Sequence, residues 1–262
     1  MLPRVNLVRG QHVDYMLFST ADHITNTLMR NGYYDNVLQE ICKIFLDAIS
    51  TPMVLDVGAN LGAFSIPIGQ HISAGRGVVH AFEPQRIIYY QLCGNVVLNR
   101  LDNVFAHHAA IGDEVGLINV PLVDYSNFSD IGAFSFVGQL RKTRDLGYYS
   151  TVEEPTQILT LDALNFSLPT SVIKIDVEGY ELYVLKGAAG HLEKNSFPPI
   201  FLDIIQSDVI PEFKSLIQNY LSDLGYSLFH LFETNYLAQH PKFPIQINVE
   251  KNGYKLRGIR TR

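Results

Sequence analysis

The chain has 262 residues, 47% of them apolar and 18% charged, which is enough to bury a substantial core in one domain with some decoration. A formal charge of −6 excludes a sequence-independent grip on nucleic acid, which needs clustered Lys and Arg to displace counterions. The N-terminal MLPRVNLVRGQHVDYMLF has no sustained apolar segment and no run approaches the about 20 apolar residues of a membrane span, so no integral membrane segment is expected.

Two cysteines, Cys42 and Cys93, fall in helix-like segments without metal-like spacing, which fits buried thiols in a reducing compartment and a cytoplasmic setting. The basic stretches, Arg141, Lys142 and Arg144 in the middle and Lys251, Lys255, Arg257, Arg260 and Arg262 at the tail, read as solvated surface.

Residues 1–50 form an N-terminal extension expected to pack on the core, with short alternating stretches followed by NVLQEICKIFLDAI, whose apolar residues recur at helical spacing. From residue 51 the pattern changes to a second unit that runs to residue 262. MVLDVG is a continuous apolar strand, AFSIPIGQHI a helix, and SAGRG a turn. VVHAFEP is a second strand, IIYYQLCGNVVLNRL a helix, and NVFAHHAAIG a third strand. The segment from about 121 to 157 breaks this rhythm with interspersed Ser, Asp, Tyr, Phe and Gly, and reads as an insertion, with room for a hairpin, that shapes a binding pocket. SVIKIDVEG then gives a strand, YELYVLKGAAGHLEK a helix, PPIFLDII a strand and VIPEFKSLIQNYLSDLG a helix. The tail, with its Asn252-Gly253 turn, predicts antiparallel strands at one edge. Near-continuous apolar strands alternating with helices indicate a doubly wound α/β sandwich around a parallel sheet.

In open α/β sheets ligands lie over the carboxyl ends of the strands. Asp56, Gly58, Asn60 and Gly62 follow the first strand, Glu83 and Pro84 the second, Ala110 to Asp113 the third, Asp176 and Glu178 the fourth, and Asp203 the fifth. Gly58 and Gly62 would let a ligand approach the main chain. A dinucleotide fingerprint counted from Gly58 fails at Asn60 and Ala63, where it needs glycine, which argues against a nicotinamide-dependent oxidoreductase. Glu83, 21 residues beyond Gly62, is spaced to accept ribose hydroxyls. The pattern therefore points to a nucleoside ligand without a pyrophosphate, and the carboxylates suit a positive centre.

DVGANLGAFS, FEP, NVVLN, AIGD, TLD and IKIDVEGYELYVLKGA, in order between Val54 and Asp203, resemble the motifs of the FkbM family of S-adenosylmethionine-dependent methyltransferases. The resemblance implies a class I methyltransferase (Rossmann-like) fold, with a mostly parallel seven-stranded sheet and an antiparallel edge. It also implies methyl transfer from S-adenosylmethionine to a hydroxyl of a small molecule, sugar or secondary metabolite. On that basis Gly58, Ala59, Asn60 and Gly62 line the methionine and ribose part, Glu83 beside Pro84 holds the ribose hydroxyls, and Ala110 and Ile111, with Asp113 nearby, border the adenine. Asp56 orients the loop or reaches the methionine amino group, and Asp176 also borders the cofactor.

An alcohol is a poor nucleophile until its proton is taken, so Glu178 is the preferred general base and Asp176 the orienting group. Against this stands a structural reading in which Asp176 caps the following helix and Glu178 binds main-chain amides. Lys174 shares the strand face of Asp176 and is placed to pair with a carboxylate. A divalent metal at Asp176 and Asp203 is a rival mechanism, although the family more often carries glutamate at the position of Asp203. Tyr33, Tyr34 and Asp35 precede the first long helix, where the family often has an aromatic residue and a glutamate; they either cover the cofactor or staple the N-terminal segment. His23, His107, His108, His230 and His240 read as satisfied or exposed histidines. Other readings that stay open are a non-catalytic nucleoside-binding module and a homo-oligomer.

Overall fold

A computed structural model gives the structure, which describes residues 4–20, 22–123, 135–138, 149–205, 211–252 and 255–261. Its first elements are a hairpin of β1 (Val5–Arg9) and β2 (Asp14–Phe18), from which Tyr15 and Leu17 point inward. Helix α1 (His23–Asn31) starts where the Asp22 carboxylate accepts from the Thr25 amide at 2.8 Å, and stops at Gly32 with φ 72°. Helix α2 (Asn36–Asp47) buries Leu38, Ile41, Cys42, Phe45 and Leu46, the stripe expected from its spacing.

The chain then runs β3 (Met53–Val57), α3 (Ser65–Ile72), β4 (Val78–Phe82), α4 (Arg86–Leu98), β5 (Val104–His107), β6 (Ala109–Ile111), β7 (Gly116–Val123) and β8 (Tyr149–Leu159). It continues with β9 (Val172–Ile175), α5 (Glu181–Lys186), α6 (Ala189–Lys194), β10 (Ile200–Asp203), α7 (Phe213–Asp223), β11 (Ser227–Phe232), β12 (Asn235–Gln239), β13 (Ile247–Asn252) and β14 (Lys255–Thr261). Seven strands form the main sheet in the order β11-β12-β10-β9-β3-β4-β5. The five from β10 to β5 are mutually parallel. β12 is antiparallel to β10 and to β11, so the antiparallel strand lies one place in from the edge.

Strand alternation divides the core between the two faces. Val54 and Val172 join the layer of α2 and α3, whereas Met53, Leu55, Val57, Ile173 and Ile175 join that of α5, α6 and α7. Every residue of β3 is buried, as a central strand covered on both sides requires. Phe45 of α2 meets Phe201 of β10 edge-on at 6.2 Å and fixes the first long helix to the sheet.

Three expectations are corrected. NVFAHHAAIG is two strands: β5 pairs with β4 in the main sheet, while β6 pairs with β8 in a separate sheet of order β6-β8-β7. The switch falls at His108, whose Nε2 meets the Pro84 carbonyl at 3.1 Å and whose ring stacks on Tyr89. The helix expected after IKIDVEG is two helices. A Cβ on Gly187 would lie 1.9 Å from the Gly112 carbonyl oxygen, and the Asp162 carboxylate takes the Gly190 and His191 amides to begin α6. The tail contributes two strands to the main sheet and a separate hairpin, β13 with β14.

The arms of the insertion are the antiparallel pair β7 and β8. Arg141, Lys142 and Arg144 lie outside the described residues, as do Gly253 and the side chains of Lys251, Lys255, Arg257, Arg260 and Arg262. Cys42 is buried, Cys93 half-buried, and both are free thiols. No helix among the described residues is long and apolar enough to cross a membrane.

Candidate active site

The turn after β3 is built on the neighbouring strand. The Gly58 and Ala59 amides both donate to the Phe82 carbonyl, at 3.0 and 2.9 Å, and the Gly62 amide donates to Ala59 O at 2.9 Å. Gly58 and Gly62 have φ of 80° and 92°, a region open to glycine at little cost. Their missing Cβ atoms also make room for protein. A Cβ at Gly58 would lie 1.9 Å from the Asp176 carbonyl oxygen, and one at Gly62 would lie 2.8 Å from Ile66 and Leu92. Packing within the chain by itself requires glycine at both positions. Asn60 tolerates φ 51° because its own Oδ1 accepts from the Leu61 amide at 2.7 Å.

Glu83 ties this turn to the end of β4. Its Oε2 accepts from the Asn60 amide at 3.0 Å and its Oε1 from the Gln85 amide at 2.8 Å. Burial pushes the carboxyl up to about 7, against the pull of those two amides. Each oxygen keeps a second lone pair for a further donor.

Asp56 and Lys174 sit side by side because β3 and β9 are paired in register there, and Asp176 follows Lys174 on the same face. The Lys174 ammonium lies 3.2 Å from Asp56 Oδ1 and 3.3 Å from Asp176 Oδ2, and donates to Gly58 O at 3.3 Å. Burial works against this ammonium, but the two carboxylates outweigh it and hold its pKa above the usual lysine range. Asp56 is fully buried and also accepts from Ser65 Oγ, so it braces the turn from behind. Asp176 keeps 35% of its side chain exposed.

Around Asp176 the α1–α2 junction brings further groups. Burial, and then the Asp176 charge, push Asp35 up to about 6 while Lys174 opposes. Asp203 is likewise pushed up to about 6 by burial and then Asp176, opposed by a hydrogen bond from the Thr234 side chain. Tyr34 is raised by burial, then by Asp35 and Asp176, and its ring meets His23 edge-on at 6.1 Å. Tyr33, by contrast, is exposed. Among the described residues no group of three or more His, Cys, Asp and Glu is arranged to hold a metal ion.

The turn after β9 holds Glu178 at φ 56° and Gly179 at φ 98°. For a non-glycine residue this conformation costs of order 1–3 kcal/mol, so neighbouring contacts must hold it. Glu181, a residue the sequence reading passed over, also binds amides of this turn: its Oε1 accepts from the Val177 and Gly179 amides at 3.2 and 3.1 Å.

Between these turns lies a narrow apolar cleft with an internal volume of about 10 Å³. Val57, Gly58, Phe82, Pro84, Ala109, Ala110 and Ile111 line it, with Phe136, Val177 and Tyr180 closing it. That is about the room of a single water, well below the about 300–1,000 Å³ of a full ligand pocket, so the cleft offers apolar walls and not a ready-made cavity. Gly58, Pro84, Ala110 and Ile111 are thus brought together, with Glu83 at the same strand end. Phe136 and Tyr180, 5.5 Å apart, were not foreseen; one lies in the unpatterned insertion and the other reads as an ordinary helix-start aromatic.

Residues 56–228 match the FkbM methyltransferase domain, about two thirds of the chain. The chain belongs to the FkbM methyltransferase family. Its activity class is accordingly methyl transfer, and its strand order is that of a class I methyltransferase. A curated relative, the methyltransferase SdnD of Sordaria araneosa, is 27% identical over 179 residues, which cover 59% of this chain and 67% of that protein. An FkbM methyltransferase structure from Methylobacillus flagellatus aligns over 72% of this chain with 19% identity and a TM-score of 0.46; the match spans 44% of that longer chain. A precorrin-6y C5,15-methyltransferase from Geobacter metallireducens covers 94% of this chain and 88% of its own, with 13% identity and a TM-score of 0.47.

Proposed function

We propose that this FkbM methyltransferase is S-adenosylmethionine-dependent and methylates a hydroxyl oxygen of a small molecule or sugar. The observation that carries the cofactor assignment is the apolar cleft beside Glu83. Pro84, Ala110 and Ile111 on one side and Phe136 and Tyr180 on the other offer apolar faces to a flat adenine, which enters as these walls part. Glu83, whose oxygens each keep a free lone pair, suits two ribose hydroxyls. Gly58, Ala59, Asn60 and Gly62 border the methionine end, while Asp56 acts through Lys174. When bound, the cofactor supplies an electrophilic methyl group on a sulfonium.

Glu178 and Asp176 stand at the turn after β9, with Asp35 and Asp203 facing Asp176. Glu178 takes the acceptor's proton and Asp176 orients the acceptor. Raised carboxyls such as Asp35 and Asp203 suit a neutral, hydrogen-bonding acceptor, because they donate when protonated and accept when ionised. Family membership sets aside the oxidoreductase alternative.

Calorimetry with S-adenosylmethionine and S-adenosylhomocysteine tests the cofactor assignment, with dissociation constants expected in the micromolar range, about −8 kcal/mol. Glu83→Ala is expected to weaken both at least about tenfold, through loss of two charge-assisted hydrogen bonds. Folded wild-type protein that gives no heat and no thermal shift with either compound would remove the assignment. Screening hydroxylated small molecules and sugars for methyl transfer tests the acceptor class, and there Glu178→Gln is expected to lower kcat and leave cofactor binding intact.

A further inference from the structure

The turn 176–180 carries Asp176 and Glu178 and walls the cleft with Val177 and Tyr180. Its main-chain amides are held by neighbouring groups. The Asp176 amide goes to Val57 O at 3.0 Å and the Tyr180 amide to Val177 O at 3.3 Å. Those of Val177 and Gly179 converge on one oxygen, Glu181 Oε1. Glu181 is the first residue of α5 and is fully buried. Its other oxygen, Oε2, is buried with no hydrogen-bond partner. A fully buried carboxyl that reaches back over its own turn is costly to keep unless the turn depends on it.

We infer that Glu181 is a positioning residue, holding the turn that carries Asp176 and Glu178 in register with the cofactor cleft. The inference rests on the S-adenosylmethionine reading of that cleft. Two features tie the hold to function. The turn packs without clearance on the glycine loop, since the Asp176 carbonyl occupies the space a Gly58 Cβ would need, so any relaxation of the turn moves the cleft wall. Glu178 and Gly179 both have positive φ, and the two amides that Glu181 binds flank Glu178 directly. Burial pushes the Glu181 carboxyl up to about 8, so the group that holds the turn at neutral pH is mainly the neutral acid. Glutamine is then its close mimic: one oxygen for the two amides, and a donor in place of the hydroxyl.

The test compares Glu181→Gln with Glu181→Met, which keeps the volume and removes the acceptor. S-adenosylhomocysteine binding by calorimetry and hydrogen exchange at the Val177 and Gly179 amides are read on both variants and the wild type. Glu181→Gln is expected to bind within about threefold of wild type with both amides protected. Glu181→Met is expected to bind about tenfold or more weakly, as the loss of two hydrogen bonds implies, with both amides exchanging fast while the β3 and β9 amides stay protected. If Glu181→Met does not fold, Glu181→Asp, which keeps the carboxylate but shortens its reach, takes its place with the same expectation. Wild-type affinity in the acceptor-free or shortened variant, or loss of binding in a folded Glu181→Gln, overturns the inference. Absence of binding in the wild type overturns the cofactor reading instead.

Discussion

Lys174 is the residue on which the charges of the site balance. It stands between a carboxylate with no access to water, Asp56, and one that is a third exposed, Asp176. Removing one partner of a buried ion pair strands the other, at a cost of about 3–5 kcal/mol. Lys174→Met is therefore expected to destabilise the protein by about that amount in urea unfolding. Asp176→Asn should cost much less, because Lys174 keeps Asp56 and the asparagine is partly hydrated. Equal losses for the two would show that Asp56 does not depend on the ammonium. Part of this was legible: the i, i+2 spacing of Lys174 and Asp176 placed them on one face. What spacing within one strand cannot show is that Asp56 is the cross-strand neighbour, and it is that pairing which draws the lysine inward. Glu181 was missed for a related reason. An acid at the start of a helix looks like a surface residue favoured by the helix dipole, and only the E-G-x-E spacing hinted at a carboxylate folded back over its turn.

At the scale of elements, the strands and long helices were readable because burial on one or two faces imposes a period. The errors fall where a partner outside the segment decides. NVFAHHAAIG has the composition of one strand, yet its halves pair with β4 and β8. The helix after IKIDVEG breaks because Gly187 meets the main chain of Gly112, a contact invisible in either segment alone. The same kind of contact sets the join between the glycine turn and the turn after β9. Gly58→Ala forces a Cβ into the Asp176 carbonyl at φ 80°, so one turn must move. Strain alone at such a site is about 1–3 kcal/mol, and the expected result is a lower thermal midpoint together with weaker S-adenosylhomocysteine binding. Gly116→Ala, where a Cβ would meet nothing within 4 Å, is the control and should stay within about 0.5 kcal/mol of wild type.

The whole molecule carries an unusual set of buried acids. Glu181 at about 8 and Glu83 at about 7 lie well above their unfolded values, with Asp35 and Asp203 at about 6, all raised chiefly by burial. An acid with a raised folded pKa binds its proton more tightly when folded. Its contribution is complete below the unfolded pKa and is lost as pH rises through the folded one. The thermal midpoint is therefore expected to rise as pH is lowered from 9 to about 6.5, with each pKa unit worth about 1.4 kcal/mol. Below that range His80, lowered by burial to about 4, works the other way, since the folded state resists its protonation. Glu181→Gln, which has no proton to bind, should flatten much of the slope between pH 6.5 and 9; an unchanged slope would mean that Glu181 does not titrate there.

Gln91 and Asn99 bond the N-terminal hairpin to α4, and Asn95 of the NVVLN motif carries the link on to the glycine turn. Asn95 is fully buried; its Oδ1 accepts from the Met16 amide at 2.6 Å, and its Nδ2 donates to Leu61 O at 2.8 Å. An amide of this kind works as a spacer with two unlike ends, one fitting a donor and the other an acceptor. It fixes the separation between β2 and the glycine turn as a peg fixes two boards. Aspartate in its place would set an oxygen against the Leu61 carbonyl, and leucine would hold neither end. The placement of the glycine turn is thereby gauged in part from a strand 79 residues earlier in the chain.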